Sequence, residues 1–196
     1  MEGRVAPELY PLFLRLEDRE VLVVGAGVVA ERKVDELLLA GAIVRVVAPS
    51  VTPTLGQLVS LGRVHWDPRE FKAGDTKGAW LVVAATGDHE VNAKVAAEAH
   101  AHRIFVNAVD DPPNASAFFA AVVKRPPFAI AISSNGELPG VSRLLREILE
   151  AALPEASFIA RARELRRRWK ADKTPHASRF AELVRAAFDA DGARRS

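Results

Sequence analysis

Residues 20–50 constrain the fold more than any other stretch of the chain. Residues 21–24 form a short, apolar, β-branched run that is typical of a buried strand. The turn Gly25-Ala26-Gly27-Val28-Val29-Ala30 follows, and a helical pattern then continues to Ala40 before a second apolar run over 43–47. This order predicts a βαβ unit with G-x-G-x-x-A at its first turn, the setting in which that motif indicates a dinucleotide site.

Each small residue of this turn has a predicted task. Gly25 permits the tight turn, Gly27 lets the backbone approach a pyrophosphate, and Ala30 lets the helix lie close to the sheet. The helix then presents free N–H groups to the phosphates. Residues 47–50 contain neither an acid for the ribose hydroxyls nor an arginine for a 2′-phosphate. These residues therefore do not decide whether the dinucleotide is NAD or NADP. A tight turn in a nucleotide-free domain is the alternative interpretation.

Strand and helix patterns continue to alternate as far as residue 110. We expect further strands over 64–66, 80–84 and 104–106, and helices over 51–61 and 88–101. Asp88 is the expected N-cap of the second helix. Such an alternation predicts a parallel, Rossmann-type sheet with helices on both faces. Three loops should then meet at the carboxyl ends of the strands, namely 25–30, 85–88 and 107–114. Thr86 in the second of them is a predicted cofactor contact.

Two adjacent carboxylates, Asp110 and Asp111, follow the last strand of this sheet. Neighbouring side chains in an extended segment point to opposite sides. Only one of the two can therefore face the predicted cofactor crevice at the carboxyl ends of the strands. We expect one to be functional and the other to cap or turn the chain. A carboxylate at this place would accept a proton while a hydride leaves the same substrate.

The pattern changes after Pro113. Two short apolar runs, over 117–123 and 128–133, are joined by a turn that contains two prolines, and helical patterns fill the remainder. We therefore divide the chain into a Rossmann domain, a two-strand dimerisation module and a C-terminal helical domain, over residues 1–113, 114–150 and 151–196. The middle part is too thin to bury a core by itself, and a second copy of the chain is the simplest partner.

A polar turn, Ser133-Ser134-Asn135-Gly136, precedes the first of these helical patterns. Ser134 and Asn135 are candidates for binding a phosphate or carboxylate, and a plain helix cap is the equal alternative. The five histidines lack the spacing of a helical metal site and the chain has no cysteine, so no metal site is predicted.

Composition narrows the classes of partner. The 196 residues carry a net charge of +2, contain no cysteine, and include no apolar run of membrane-spanning length. No secretory signal is evident at the N-terminus. We therefore expect a cytoplasmic protein that binds neither nucleic acid nor membrane.

Six stretches together resemble the precorrin-2 dehydrogenase / sirohydrochlorin ferrochelatase family, which also forms the N-terminal part of sirohaem synthases. They are YPLFLRL, VLVVGAGVVAERKVDELLLAGAIVRVVAP, WLVVAATGD, VNAVDDP, FAIAISSNG and SRLLREILEAALP. The resemblance implies a homodimer that oxidises precorrin-2 to sirohydrochlorin and passes hydride to NAD. Some family members also insert Fe²⁺ to give sirohaem. The rival classes are another NAD(P)-dependent oxidoreductase and a nucleotide-sensing regulatory module.

The resemblance also implies roles for individual residues. Asp110 matches the essential carboxylate, and Ser134 matches a serine near the tetrapyrrole site. The implied NAD contacts are Gly25, Gly27, Val28, Val29, Pro49 and Ser50. Because precorrin-2 carries many carboxylates, basic side chains should hold it. The candidates are Lys124, Arg125 and Arg143.

Overall fold

Five parallel strands form the main sheet, in the spatial order β3-β2-β1-β4-β5. The computed structural model describes residues 8–153 and 156–192. The strands are β1 (Glu20–Val24), β2 (Ile43–Val47), β3 (Val64–Asp67), β4 (Leu81–Ala84) and β5 (Phe105–Ala108). The chain steps outward from β1 to β3 and then returns to the other side of β1. The order therefore reverses between β1 and β4, which is where parallel sheets of this kind bind ligands.

Three helices cover the two faces of this sheet. They are α1 (Val28–Leu39), α2 (Pro53–Ser60) and α3 (His89–Ala101). Val21 and Val23 pack in one apolar cluster with α1 and α2, whereas Leu22 and Val24 pack in a second cluster with α3. Side chains of a strand alternate between its faces, so a sheet covered on both sides needs continuous apolar strands. The predicted fold class is confirmed.

Local caps and strand pairing together decide where the elements begin and end. Asp88 caps α3 as expected, since its Oδ1 accepts hydrogen bonds from the backbone N–H of Glu90 and Val91 at 2.8 and 3.3 Å. The strand expected over 104–106 is found at Phe105–Ala108, because the pairing with β4 continues as far as Ala108. The register between strands, which a single strand's pattern does not contain, therefore sets this boundary.

The connection from β3 to β4 is anchored by two ionised carboxylates. Arg69 donates hydrogen bonds to both oxygens of Asp75, and this is the main reason that the pKa of Asp75 lies below its usual value. Glu98 of α3 accepts from Gly74 and Thr76. Burial raises the pKa of Glu98, but these hydrogen bonds outweigh it and leave the pKa lowered. The loop is thereby tied to α3.

The remaining elements are a hairpin and three helices. They are β6 (Ala121–Arg125), β7 (Phe128–Ile132), α4 (Pro139–Ala152), α5 (Ala156–Ala171) and α6 (His176–Gly192). The first extended run was expected to begin at residue 117. It begins later because the backbone of Ala117 is hydrogen-bonded to Val106 of β5 at 2.9 Å. None of the described helices combines the length and apolar character that crossing a bilayer requires.

Contacts divide the chain into two compact units. The first extends to Ala120 and also contains Ser133–Leu138, and the second contains Ala121–Ile132 and the chain from Pro139 onward. The second unit thus combines the hairpin with the helices. Our division into three consecutive parts stays a prediction.

Candidate cofactor and active site

Gly25 brings the first two of the predicted loops into contact. Its φ is +101°, and a Cβ built on it would lie 2.4 Å from the carbonyl oxygen of Ala85 and 2.9 Å from the backbone nitrogen of Thr86. A side chain has no room at that distance, and this conformation favours glycine. Gly25 therefore permits the turn, as expected, and also lets the loop after β1 lie directly against the loop after β4.

Gly27 differs from Gly25 in its surroundings. It precedes α1 with φ of −77°, and no described residue beyond its two chain neighbours has an atom within 4 Å of the position its Cβ would take. No side chain among the described residues caps α1, so its first N–H groups are available to a ligand. Val28 and Val29 are 70% and 37% exposed there. Free N–H groups beside an open glycine suit a pyrophosphate, so these residues fit the predicted dinucleotide.

The segment that follows β2 carries two more of the predicted dinucleotide contacts. Pro49 and Ser50, the predicted contacts, are exposed. Two residues further on, Thr52 caps α2 and its hydroxyl donates a 2.5 Å hydrogen bond to Glu31 of α1. Sequence reasoning did not connect these residues, because they are distant in the chain and neither belongs to the glycine motif.

Thr86 is held in place by a buried amide. Asn92, 2% exposed, accepts at its Oδ1 from the backbone N–H of Thr86 at 3.1 Å and donates from its Nδ2 to the Thr86 carbonyl at 3.1 Å. The Thr86 hydroxyl lies 2.7 Å from the same Oδ1. Asn92 was missed in the sequence, although an asparagine on the face of α3 that also carries Val95 and Ala99 is a usable signal. Asn92 fixes the second loop.

The two adjacent aspartates of the third loop have different surroundings. Asp111 precedes a 3₁₀ turn at Pro112–Asn114, and its Oδ2 accepts from the side-chain amide of Asn114 at 2.8 Å. Asp110 is exposed, has φ of 56°, and forms no hydrogen bond or ion pair with any described residue. The left-handed backbone costs a non-glycine residue energy. One carboxylate is thus used locally and the other is free, and the catalytic role of Asp110 stays a prediction.

The buried side chain of Asn107 holds the end of this third loop. It is 9% exposed, and its Nδ2 donates to the carbonyl of Ala117 at 2.9 Å. The hydroxyl of Ser116 accepts from the backbone N–H of Val106 at 3.0 Å. Both ends of the Asp110 segment are therefore fastened to β5.

The serine turn is organised by its own side chains. The hydroxyl of Ser134 accepts from the backbone N–H of Leu138 at 3.1 Å, and that of Ser133 accepts from Asn135 at 3.2 Å. Asn135 and Gly136 both have positive φ, which is typical of a tight turn. The Ser134 hydroxyl keeps its own hydrogen for donation to a ligand. Binding of a ligand by Ser134 and Asn135 stays a prediction.

The three predicted substrate cations lie in the second unit and have different surroundings. Arg125 donates from its guanidinium to the carbonyls of Leu153 and Glu150 at 2.6 and 2.9 Å, at the end of α4. Arg143 is paired with Glu147 at 3.2 Å. Lys124 is exposed, and no described residue pairs with it. The structure thus gives Arg125 a structural task that its sequence did not reveal, and contact with substrate stays a prediction for all three.

The described residues contain no group of three or more histidines, cysteines, aspartates or glutamates that could hold a metal ion. The open turn at Gly27 and the carboxylate of Asp110 are the features of this region that can take part in its chemistry.

Comparison with known proteins identifies the family. Residues 12–121 match the model of the family described as "Putative NAD(P)-binding". The chain belongs to this family. The prediction of a nicotinamide dinucleotide as cofactor is thereby confirmed.

The relatives found among curated proteins are longer than this chain. It is 45% identical over 160 residues to Siroheme synthase 1 of Serratia proteamaculans, which covers 82% of this chain and 33% of that protein. It is 48% identical over 163 residues to Siroheme synthase 3 of Aeromonas hydrophila, covering 82% of this chain and 35% of that protein. The chain thus spans about a third of the length of these relatives.

A solved structure with a similar fold matches nearly the whole chain. SirC, precorrin-2 dehydrogenase, superposes with a TM-score of 0.72 at 25% identity, covering 90% of this chain and 88% of that chain. Together with the relatives, this match confirms the resemblance that the sequence motifs indicated.

Proposed function

We propose that this protein oxidises precorrin-2 to sirohydrochlorin with NAD as the hydride acceptor. The observation that carries the proposal is the free carboxylate of Asp110, which follows β5 at the same edge of the sheet as the open turn at Gly27. The sirohaem synthases at 45–48% identity and the precorrin-2 dehydrogenase with the same fold support this substrate.

The proposed mechanism assigns one task to each loop. The backbone at Gly27, Val28 and Val29 would hold the pyrophosphate of NAD, and NAD would supply the hydride acceptor. Thr86, fixed by Asn92, borders the same crevice. The substrate loses a hydride and a proton in each oxidation, and the carboxylate of Asp110 accepts the proton. Lys124, Arg125 and Arg143 are proposed partners of the substrate carboxylates.

The direct test is an assay of the purified protein with precorrin-2 and NAD under anaerobic conditions. We expect NADH to form while the visible spectrum changes to that of sirohydrochlorin, and neither change to occur without NAD. A regulatory module would bind NAD without any turnover. Another oxidoreductase would leave precorrin-2 unchanged, and either result would contradict the proposal.

Insertion of Fe²⁺ into sirohydrochlorin is the second candidate activity. The relatives are named for sirohaem, the iron-containing product, and the free Asp110 is also able to receive the protons that leave the pyrrole nitrogens. Fe²⁺ is then a substrate and not a resident metal. Adding Fe²⁺ to sirohydrochlorin with the protein should accelerate sirohaem formation over the rate without protein.

The proposal includes a homodimer formed through residues 114–150. Helix α4 carries an apolar stripe with the spacing of one helix face, and its side chains are 42–55% exposed at Val141, Leu144, Leu145 and Ile148. Val122 and Phe128 of the hairpin are also exposed. An apolar surface of this kind is best covered by another protein surface, and a second copy is the simplest one.

Replacing Leu144 by lysine tests the dimer. We expect light scattering to give twice the chain mass of 21.2 kDa for the wild type, and mainly the single chain for Leu144→Lys. Leu39→Lys is the matched control, because Leu39 is an 81% exposed leucine on α1 of the first unit. A wild type that stays monomeric at micromolar concentration would contradict the prediction.

A cytoplasmic location is also part of the proposal. The chain contains no cysteine, which suits a reducing compartment in which disulfides do not form.

A further inference from the structure

The end of β2 lacks the residue that usually selects the dinucleotide. In folds of this type, an acid near this point accepts a hydrogen bond from the adenosine ribose of NAD, or an arginine accommodates the 2′-phosphate of NADP. Residues 47–50 here are Val, Ala, Pro and Ser. A residue that discriminates between the two dinucleotides would therefore lie on another element.

A carboxylate from α1 lies close to this point. Thr52, two residues beyond Ser50, donates from its hydroxyl to Oε2 of Glu31 at 2.5 Å. The same hydroxyl accepts from the backbone N–H of Leu55 at 3.2 Å, so its orientation is fixed by the start of α2. Both side chains are half-buried. Glu31 is thus not a freely moving surface acid but is held beside the loop that follows β2.

The negative charge of Glu31 and its unpaired oxygen both affect which form of the adenosine ribose can bind beside it. Its second oxygen, Oε1, forms no hydrogen bond with any described residue and can accept one from a hydroxyl group. A phosphate on that hydroxyl would bring two or nearly two further negative charges towards the same carboxylate. Like charges brought together in this way oppose binding strongly.

We infer that Glu31, held by Thr52, is the specificity-determining residue that favours NAD over NADP in this protein. It takes the part that an acid at the end of β2 takes in related folds, but it comes from the first turn of α1. The inference rests on the NAD-dependent function proposed above and extends it to the choice of dinucleotide.

The test measures the dissociation constants of NAD and NADP by titration calorimetry. We expect the wild type to bind NAD more tightly. The ratio of the dissociation constant of NADP to that of NAD should fall about tenfold in Glu31→Gln, because the charge is lost while the size is kept. Asp35→Asn is the matched control, since Asp35 is an exposed acid one turn further along α1, and it should change the ratio less than about twofold.

Two further measurements distinguish an electrostatic effect of Glu31 from a structural one. Thr52→Val removes the hydroxyl that holds Glu31, so it should also reduce the ratio, by a smaller factor than Glu31→Gln. Raising the salt concentration should reduce the ratio in the wild type and leave it nearly constant in Glu31→Gln, because salt screens repulsion between charges. The salt series on the wild type tests the inference even if a variant does not fold.

Three outcomes would overturn the inference. They are an unchanged ratio in folded Glu31→Gln, a wild-type ratio that does not respond to salt, and a wild type that prefers NADP. The last result would indicate Arg32, the exposed cation next to Glu31, as a phosphate partner instead. Failure of the wild type to bind either dinucleotide would contradict the proposed function as well, whereas an unchanged ratio with normal NAD binding contradicts only the role of Glu31.

Discussion

Replacing Asp110 by asparagine is expected to slow NADH formation from precorrin-2 by a factor of about 10²–10⁴, the usual contribution of a positioned general base. Asparagine keeps the size of the side chain and removes its ability to take a proton. The exposed Asp110 forms no hydrogen bond or ion pair within the described residues, so the substitution breaks no contact that holds the loop. NAD affinity and the circular dichroism spectrum should therefore remain those of the wild type.

Asp111→Asn is the natural control for this prediction. Asp111 is the adjacent carboxylate, but its Oδ2 already accepts from the amide of Asn114 at 2.8 Å. We expect this variant to retain most of the activity, with at most a small loss of stability from the altered turn. If Asp111→Asn were the damaging change and Asp110→Asn were nearly silent, the assignment of the two aspartates would have to be reversed. The substitution that slows the oxidation of precorrin-2 should also slow any insertion of Fe²⁺, because the same carboxylate is proposed to accept protons in both reactions.

Replacing Gly27 by aspartate is expected to abolish NAD binding without unfolding the protein. The open space in front of Gly27 accommodates the new side chain, since among the described residues only its chain neighbours come within 4 Å of its Cβ position. That space is where the pyrophosphate is expected, so the carboxylate both occupies the site and repels the phosphates. Calorimetric titration should give no measurable heat of binding, and thermal unfolding should remain close to that of the wild type.

The two glycines of the turn should respond to substitution in opposite ways. Gly25→Ala places a methyl group 2.4 Å from the carbonyl oxygen of Ala85 in a backbone conformation that alanine rarely adopts, so this variant should lose stability. Gly27→Ala should keep its stability and lose affinity. A folded Gly27→Asp protein with unchanged NAD affinity would place the dinucleotide elsewhere. A fully stable Gly25→Ala protein would contradict the close contact between the two loops.

Local patterns in the sequence predicted the sheet and the glycine turn after β1 well. The apolar runs at β1 and β2, with glycines between them, leave few alternatives to a βαβ unit, and Asp88 caps α3 as its position before a helical pattern indicated. These features depend on residues that are close in the chain. The physical preferences of strands, helices and caps act over the same short distances.

The supporting contacts could not be predicted in the same way. Arg125 caps the end of α4 from a strand that lies more than one element earlier, and Glu31 of α1 meets Thr52 at the start of α2. Each contact joins residues more than 20 positions apart. Whether a basic side chain binds a ligand or a helix end depends on which backbone carbonyls the fold brings near it, and a single sequence does not contain that information.

The path of the chain between its two units has a consequence for exchanging parts between relatives. The chain passes from one unit to the other after Ala120, after Ile132 and after Leu138, so the first unit is not a continuous piece of sequence. A chimera joined at residue 113 or 120 would import the segment Ser133–Leu138 from the donor along with the second unit. Its first unit would then contain a foreign turn. Graft boundaries that follow the three passages, leaving Ser133–Leu138 with its original neighbours, would preserve each unit intact.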